Sequence, residues 1–206
     1  MRKIFGATLG LLLLTGVAGA QISGSAHDFR SEVWMTTTEM CQPCHTPHNA
    51  STALPVVLWN HEVTVATYTL YDSPTMNATT GQPGGVSKAC LSCHDGTVAL
   101  DSFGGSTGGT TIGGTANFGT DLANDHPVSF AYTNTLATTD GGLHPPTSTA
   151  SGISPSGTIA ADMLFGTGNT QVECASCHDV HNAANLPFLL LKSNAGSALC
   201  LTCHNK

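Results

Sequence analysis

Charge is what this chain has least of. Only 9% of its 206 residues are Asp, Glu, Lys or Arg, with six basic residues against thirteen acids. Two of the six, Arg2 and Lys3, stand at the extreme N-terminus. Beyond residue 20 there remain Arg30, Lys88, Lys192 and Lys206, four against all thirteen acids, a net of −9. That balance excludes a nucleic-acid-binding face, which needs clustered Lys and Arg to displace counterions from phosphate. It also leaves little with which to hold an anionic substrate. Aromatic residues are scarce, at 6%. Few stretches place apolar residues at helical spacing. After residue 17 no apolar run approaches the roughly 20 residues of a membrane-spanning helix, so no membrane span is expected. Gly, Thr, Ser and Ala are abundant instead. Such a chain buries too little apolar surface to fold around its side chains alone, and something else must fill its core.

What is present begins with an export signal. Arg2 and Lys3 precede an apolar run from Ile4 to Val17, and Ala18-Gly19-Ala20 has the small-residue pattern of a cleavage site. Residues 1–20 therefore read as a secretory signal peptide. Gln21 follows the cut where a lipid-anchored protein would have Cys. The expected mature protein is residues 21–206, a single exported domain.

All eight cysteines fall in four C-x-x-C pairs: Cys41/Cys44, Cys90/Cys93, Cys174/Cys177 and Cys200/Cys203. A disulfide scaffold or zinc sites could use such pairs, but neither needs a histidine directly after each. Here His45, His94, His178 and His204 follow the four pairs without exception. Four such placements by chance are on the order of one in 10⁵. Covalent haem explains every one. The two thiols form thioethers to the porphyrin vinyl groups, and the next residue lies beneath the iron as its proximal ligand. Four covalently attached c-type haems are expected, and they supply the missing core. The expected fold is mostly irregular, with short helices at the haem motifs and few short strands wrapped around the cofactors.

Six histidines remain: His27, His48, His61, His126, His144 and His181. Four irons with two imidazoles each need four of them. His48 stands three residues after His45, and His181 three after His178. If each pair shares a helical turn, both side chains project to one side. A ring on His45 then blocks His48 from its own iron, so His48 serves another haem, and His181 likewise. His126, before Pro127 in a featureless loop, and His27, near the mature N-terminus, complete the expected distal set. His61, beside Trp59, packs, contacts a propionate or replaces one of the four; His144 reads as a loop residue. Met35, Met40, Met76 and Met163 are the alternative ligand type, unneeded where histidine is in surplus.

The pattern repeats. CQPCHTPHNA is followed by Leu54-Pro55, CASCHDVHNA by Leu186-Pro187; SKACLSCH and SALCLTCH come downstream. The chain thus reads as two haem-pair units, 41–94 and 174–204, joined by a Gly/Thr-rich, loop-like segment over 101–173.

GSAHDF, CQPCHTPHN, LWNH, YTLYDSPT, CLSCHDGTVALDSFGG, NDHPVSF, CASCHDVHN and ALCLTCHNK together resemble the OmcE-like tetrahaem extracellular cytochromes, and in part the larger filament cytochrome OmcS. The likeness covers most of residues 21–206 and is weak in 104–122 and 133–170. The resemblance implies bis-histidine haems in a continuous wire, with one axial histidine supplied by the next subunit; the matching residue here is His48. The residues point the same way. His181 has the first unit's haems ahead of it in the chain, whereas no haem pair precedes His48, so in a head-to-tail repeat the preceding haems belong to another molecule. His27, near the same end, competes for that role.

The expected function is electron transfer, not enzymatic catalysis: an exported tetrahaem cytochrome, polymerised into an extracellular or cell-surface filament that passes electrons to other redox proteins or external acceptors. A discrete periplasmic tetrahaem shuttle shares the chemistry. A multihaem reductase needs an open iron and a polar pocket, which the histidine surplus and the lack of Lys and Arg oppose.

Overall fold

The computed structural model describes residues 21–205. The signal peptide read from residues 1–20 lies outside the described residues. The chain is mostly irregular. Among the described residues there are four short α-helices: α1 (Gly85–His94), α2 (Asn134–Asp140), α3 (Ile159–Met163) and α4 (Cys200–Cys203). Two strands, β1 (Phe130–Ala131) and β2 (Gln171–Val172), pair antiparallel with Phe130 opposite Val172. No described helix is long and apolar enough to cross a membrane.

Helices form where the haem motifs lie. α1 ends on Cys90-Leu91-Ser92-Cys93-His94, α4 covers the fourth motif, and a 3₁₀ turn (Cys174–Ser176) opens the third. The first motif is a hydrogen-bonded turn. In three motifs the histidine N–H donates to the carbonyl of the first cysteine: His45 to Cys41 (2.9 Å), His178 to Cys174 (3.1 Å) and His204 to Cys200 (2.9 Å). One helical turn therefore sets both sulfurs on one side, three residues apart, and brings the imidazole in beside them.

α1 starts at Gly85, whose φ is +49°, and a Cβ there would meet Glu173 Oε1 at 2.8 Å. Glycine is needed on both counts, because α1 packs against the turn carrying Cys174. α2 and α3 are capped by Thr133 and Thr158, whose hydroxyls accept from Leu136 N (3.1 Å) and Ala161 N (3.2 Å); each cap satisfies an orphan N–H of its first turn.

The segment between the haem-pair units is more ordered than its composition suggested. Residues 101–129 are irregular, apart from a 3₁₀ turn at Gly114–Ala116. Residues 130–172 hold α2, α3 and both strands, and they build most of the largest apolar cluster: Tyr132, Ala137, Ile159, Met163, Leu164 and Val172, joined by Leu199. These residues are too far apart in sequence to show a period, and only the tertiary fold gathers them. Met163 is spent there. Cys177, Cys203 and Leu190 pack on the same cluster, so the second unit leans on side-chain packing. The first unit has a smaller cluster of Leu54, Trp59 and Ala89, and Leu91 joins Tyr68 and Leu122 in another.

The first unit also has a buried polar anchor. Asp95 accepts from Thr64 Oγ1 (2.6 Å), Tyr68 OH (2.6 Å), Thr97 N (2.7 Å) and Thr97 Oγ1 (2.8 Å). Burial raises its carboxyl, but the hydrogen bonds from Thr64, Tyr68 and Thr97 outweigh burial and hold it below the usual carboxylate range. The network ties residues 64–68 to the end of α1, directly after His94.

Candidate haem-attachment sites

All eight cysteines are unpaired thiols, each available for a thioether. Burial pushes the thiols of Cys44, Cys177 and Cys203 up to about 11 and that of Cys93 to about 12. The second and third motifs meet directly. The Cys90 and Cys174 thiols interact, which holds Cys90 above its usual range and Cys174 below.

Two imidazoles on opposite faces of one iron, with metal–nitrogen bonds of about 2.0 Å, hold their ring centroids roughly 6.3 Å apart. Three histidine pairs stand at that spacing. His45 faces His181 at 6.2 Å with rings 16° from parallel. His27 meets His94 at 6.1 Å and 89°. His126 meets His204 at 6.3 Å and 76°. Each pair joins the proximal histidine of one motif to a histidine from elsewhere in the chain.

The ring tautomers agree. Nδ1 of His45 donates to the Val57 carbonyl (2.7 Å), of His94 to Ala116 (2.7 Å), of His178 to Phe188 (2.8 Å) and of His126 to Pro127 (2.9 Å). A carbonyl only accepts, so Nδ1 carries the hydrogen and Nε2 keeps its lone pair for a metal. His27 is half-buried, and its Nδ1 is buried without a hydrogen-bond partner. Burial first, then the neighbouring His94 and His178, lower it to about 4, which keeps it neutral, the state that binds metal. Thiol pairs, free Nε2 atoms and ring spacings all fit covalently held haem.

The remaining histidines divide cleanly. His61 is buried, with Nδ1 2.9 Å from the Glu62 carbonyl and Nε2 3.0 Å from that of Ala99. Both nitrogens face carbonyls, of which a neutral ring can donate to one, and Nε2 also lies 3.6 Å from Cys93 Sγ, so His61 packs beside the second motif. His144 is half-buried and faces no other imidazole among the described residues. His48 is exposed, and its ring has no partner among the described residues. His178 is exposed too; His27 is near enough to feel its charge, but among the described residues no ring contact joins a second imidazole to it.

The helical-turn premise for His48 and His181 does not hold. After each proximal histidine the chain extends, His45 bridging to Trp59 and His178 to Leu190, and then turns through Asn49 (φ 56°) and Asn182 (φ 54°). Asparagine tolerates that left-handed conformation. Sequence reading also missed the carbonyls that orient the proximal rings. The shared spacing of the two CHxxH segments to Leu-Pro was the available signal, since Val57 and Phe188 lie just beyond Pro55 and Pro187.

Residues 167–206 match the family model of the doubled CXXCH motif. That motif indicates a multihaem c-type cytochrome with covalently attached haem c, an electron-transfer class with which this irregular, sparsely helical fold is consistent. No curated protein matches the chain.

Proposed function

We propose that the chain is an exported tetrahaem electron carrier, not an enzyme, whose molecules join head to tail into an extracellular filament of the OmcE-like kind. Attached haem supplies a one-electron iron couple at each motif; the residues of the chain hold, space and electrically insulate those centres. One observation carries the reading. Three proximal histidines have a second imidazole at the spacing axial ligation requires, while the fourth, His178, is exposed and lacks one, and His48 is exposed with nothing to bind. Within one chain the exchange runs one way, from the second CHxxH turn to the first motif. The reciprocal pair, His48 and His178, is completed between chains. An unclosed head-to-tail contact of that kind propagates as a filament. The pairing of His27 with His94 at 6.1 Å favours His48 over His27 as the intermolecular ligand.

His48→Ala tests this. The expected product carries four haems, fails to form filaments in electron micrographs, and has one high-spin iron per chain in its resonance Raman spectrum. Normal filaments with every iron six-coordinate overturn the assignment, and closed dimers in the unaltered protein replace the filament with a reciprocal exchange. The same open position at His178 favours a second reading, a monomer with one ligand-accessible iron. Cyanide binding to one haem of the native, unassembled protein, with no filament at any concentration, selects it.

A further inference from the structure

We propose that Glu173 tunes the potential of the two haems attached at Cys90/Cys93 and Cys174/Cys177, its buried charge holding both lower than a neutral side chain would. The inference rests on haem attachment at those two motifs and deepens the electron-transfer reading.

Glu173 is buried at the seam between the second and third motifs. It immediately precedes Cys174, whose N–H donates to Ser87 Oγ (2.9 Å). Ser87 lies on α1, three residues before Cys90, and Cys90 itself reaches Cys174. Glu173 Oε2 accepts from Ser87 N (3.2 Å) and Ser129 Oγ (3.0 Å). Its carboxyl also accepts from the backbone N–H of Ser176, while Ser176 Oγ accepts from Glu173 N (2.9 Å). Gly85 leaves the space that Oε1 occupies.

Every partner of this carboxyl donates, and a carboxylate is the acceptor-only form of the side chain. None of the partners is a cation. The two ion pairs among the described residues, Arg30–Asp28 and His181–Asp179, lie elsewhere. The negative charge is therefore solvated by neutral dipoles and left uncancelled, in a buried place where Coulomb forces are strong. Iron gains a positive charge on oxidation, so a nearby fixed anion favours the ferric form and lowers the potential. Burial and hydrogen bonding around a haem are recognised levers on its potential.

Glu173→Gln keeps an acceptor oxygen and removes the charge. Spectroelectrochemical titration of the haem-loaded protein is expected to show two one-electron transitions moved to more positive potential. The expected size is on the order of a tenfold change in the reduced-to-oxidised ratio at fixed poise, about 59 mV. Ser129→Ala removes a donor and keeps the charge, and is expected to move the same transitions to more negative potential. General loosening of the seam would shift both variants one way. Shifts of equal sign, or an unshifted Glu173→Gln protein with full haem load, overturn the tuning role. Should Glu173→Gln not fold, the sign of the Ser129→Ala shift decides alone. Haem content by pyridine haemochrome assay separates the two levels: absence of haem at either motif in the unaltered protein overturns the underlying reading, and full loading without a shift overturns only this one.

Discussion

The two CHxxH segments share one backbone plan and differ in what holds it. Both proximal rings donate from Nδ1 to a carbonyl downstream, 12 residues on at Val57 and 10 on at Phe188. Thr46 N bonds Leu58 O (2.9 Å) as Asp179 N bonds Leu189 O (2.6 Å), and Asn60 N bonds Cys44 O as Leu191 N bonds Cys177 O, both at 2.9 Å. Leu58 and Leu189 each take φ 55°. The turns carrying the second histidine then diverge. In the later segment Asp179 accepts from His181 N (2.9 Å) and Ala183 N (2.8 Å), and the N-terminal arm ties in through Gln21 N to His181 O (2.7 Å). In the earlier one Thr46 stands in for Asp179: its hydroxyl donates to His48 O (3.0 Å) and accepts more distantly from His48 N (3.5 Å). Both histidines are exposed. The one on the turn fastened by a carboxylate and the N-terminal arm faces His45; the one on the turn held through the Thr46 hydroxyl faces no imidazole among the described residues. The N-terminal arm thus braces the turn whose histidine pairs with a proximal ring of the same chain.

The sharpest break in that comparison is His181→Ala. If the later turn is the internal joint, this variant loses the distal ligand of the haem at Cys41/Cys44. It should show one high-spin iron per chain while still forming filaments, the reverse of the His48→Ala result on assembly. Filaments lost equally in both variants would erase the distinction between the turns.

The supports beneath the two units give the next contrast. Met163 is fully buried in the cluster on which Cys177 and Cys203 pack. Met163→Ala opens a cavity costing about 2–5 kcal/mol, read as a lower denaturation midpoint of the haem-loaded protein. Hydrogen exchange should quicken around residues 130–172 and 199–203 while residues 64–95 keep their protection. Uniform acceleration would mean that the two units share one support.

A smaller effect is expected at Asp95, on the first unit's side. Asp95→Asn weakens hydrogen bonds to a charged acceptor, worth about 1.5–3 kcal/mol. Because the folded carboxyl titrates below its ordinary value, its contribution is present above about pH 4 and is lost as pH falls through the lower folded value. The variant should therefore be less stable than the unaltered protein at pH 7, with the gap closing in acid. A gap that stays constant from pH 7 into strong acid would show that the charge contributes nothing.

Much of this was legible in the sequence because thioether chemistry is local. Two thiols and a histidine must sit on one turn, so C-x-x-C-H implies haem attachment by its spacing alone, and the absence of apolar periodicity announced a fold that is mostly irregular. The histidines that face the proximal rings were legible only as a set. His61 and His126 both looked available, and nothing local says that His61 has both nitrogens turned to carbonyls while His126 faces His204. Those are contacts across 38 and 78 residues, decided by which loops the fold brings together.

The sequence by itself determined the chemistry on offer: C-x-x-C-H motifs that imply covalent haem c, and six histidines beyond the four that follow the cysteine pairs. Tertiary structure decided the pairing. It set His181 on His45, His27 on His94 and His126 on His204, left His48 and His178 exposed, gathered Ile159, Met163 and Val172 into a core, and buried Glu173 between two motifs. The reason is range. A bond to the next residue in the chain is fixed by spacing, whereas a ring 6 Å away across a fold is fixed only when every intervening loop has found its place.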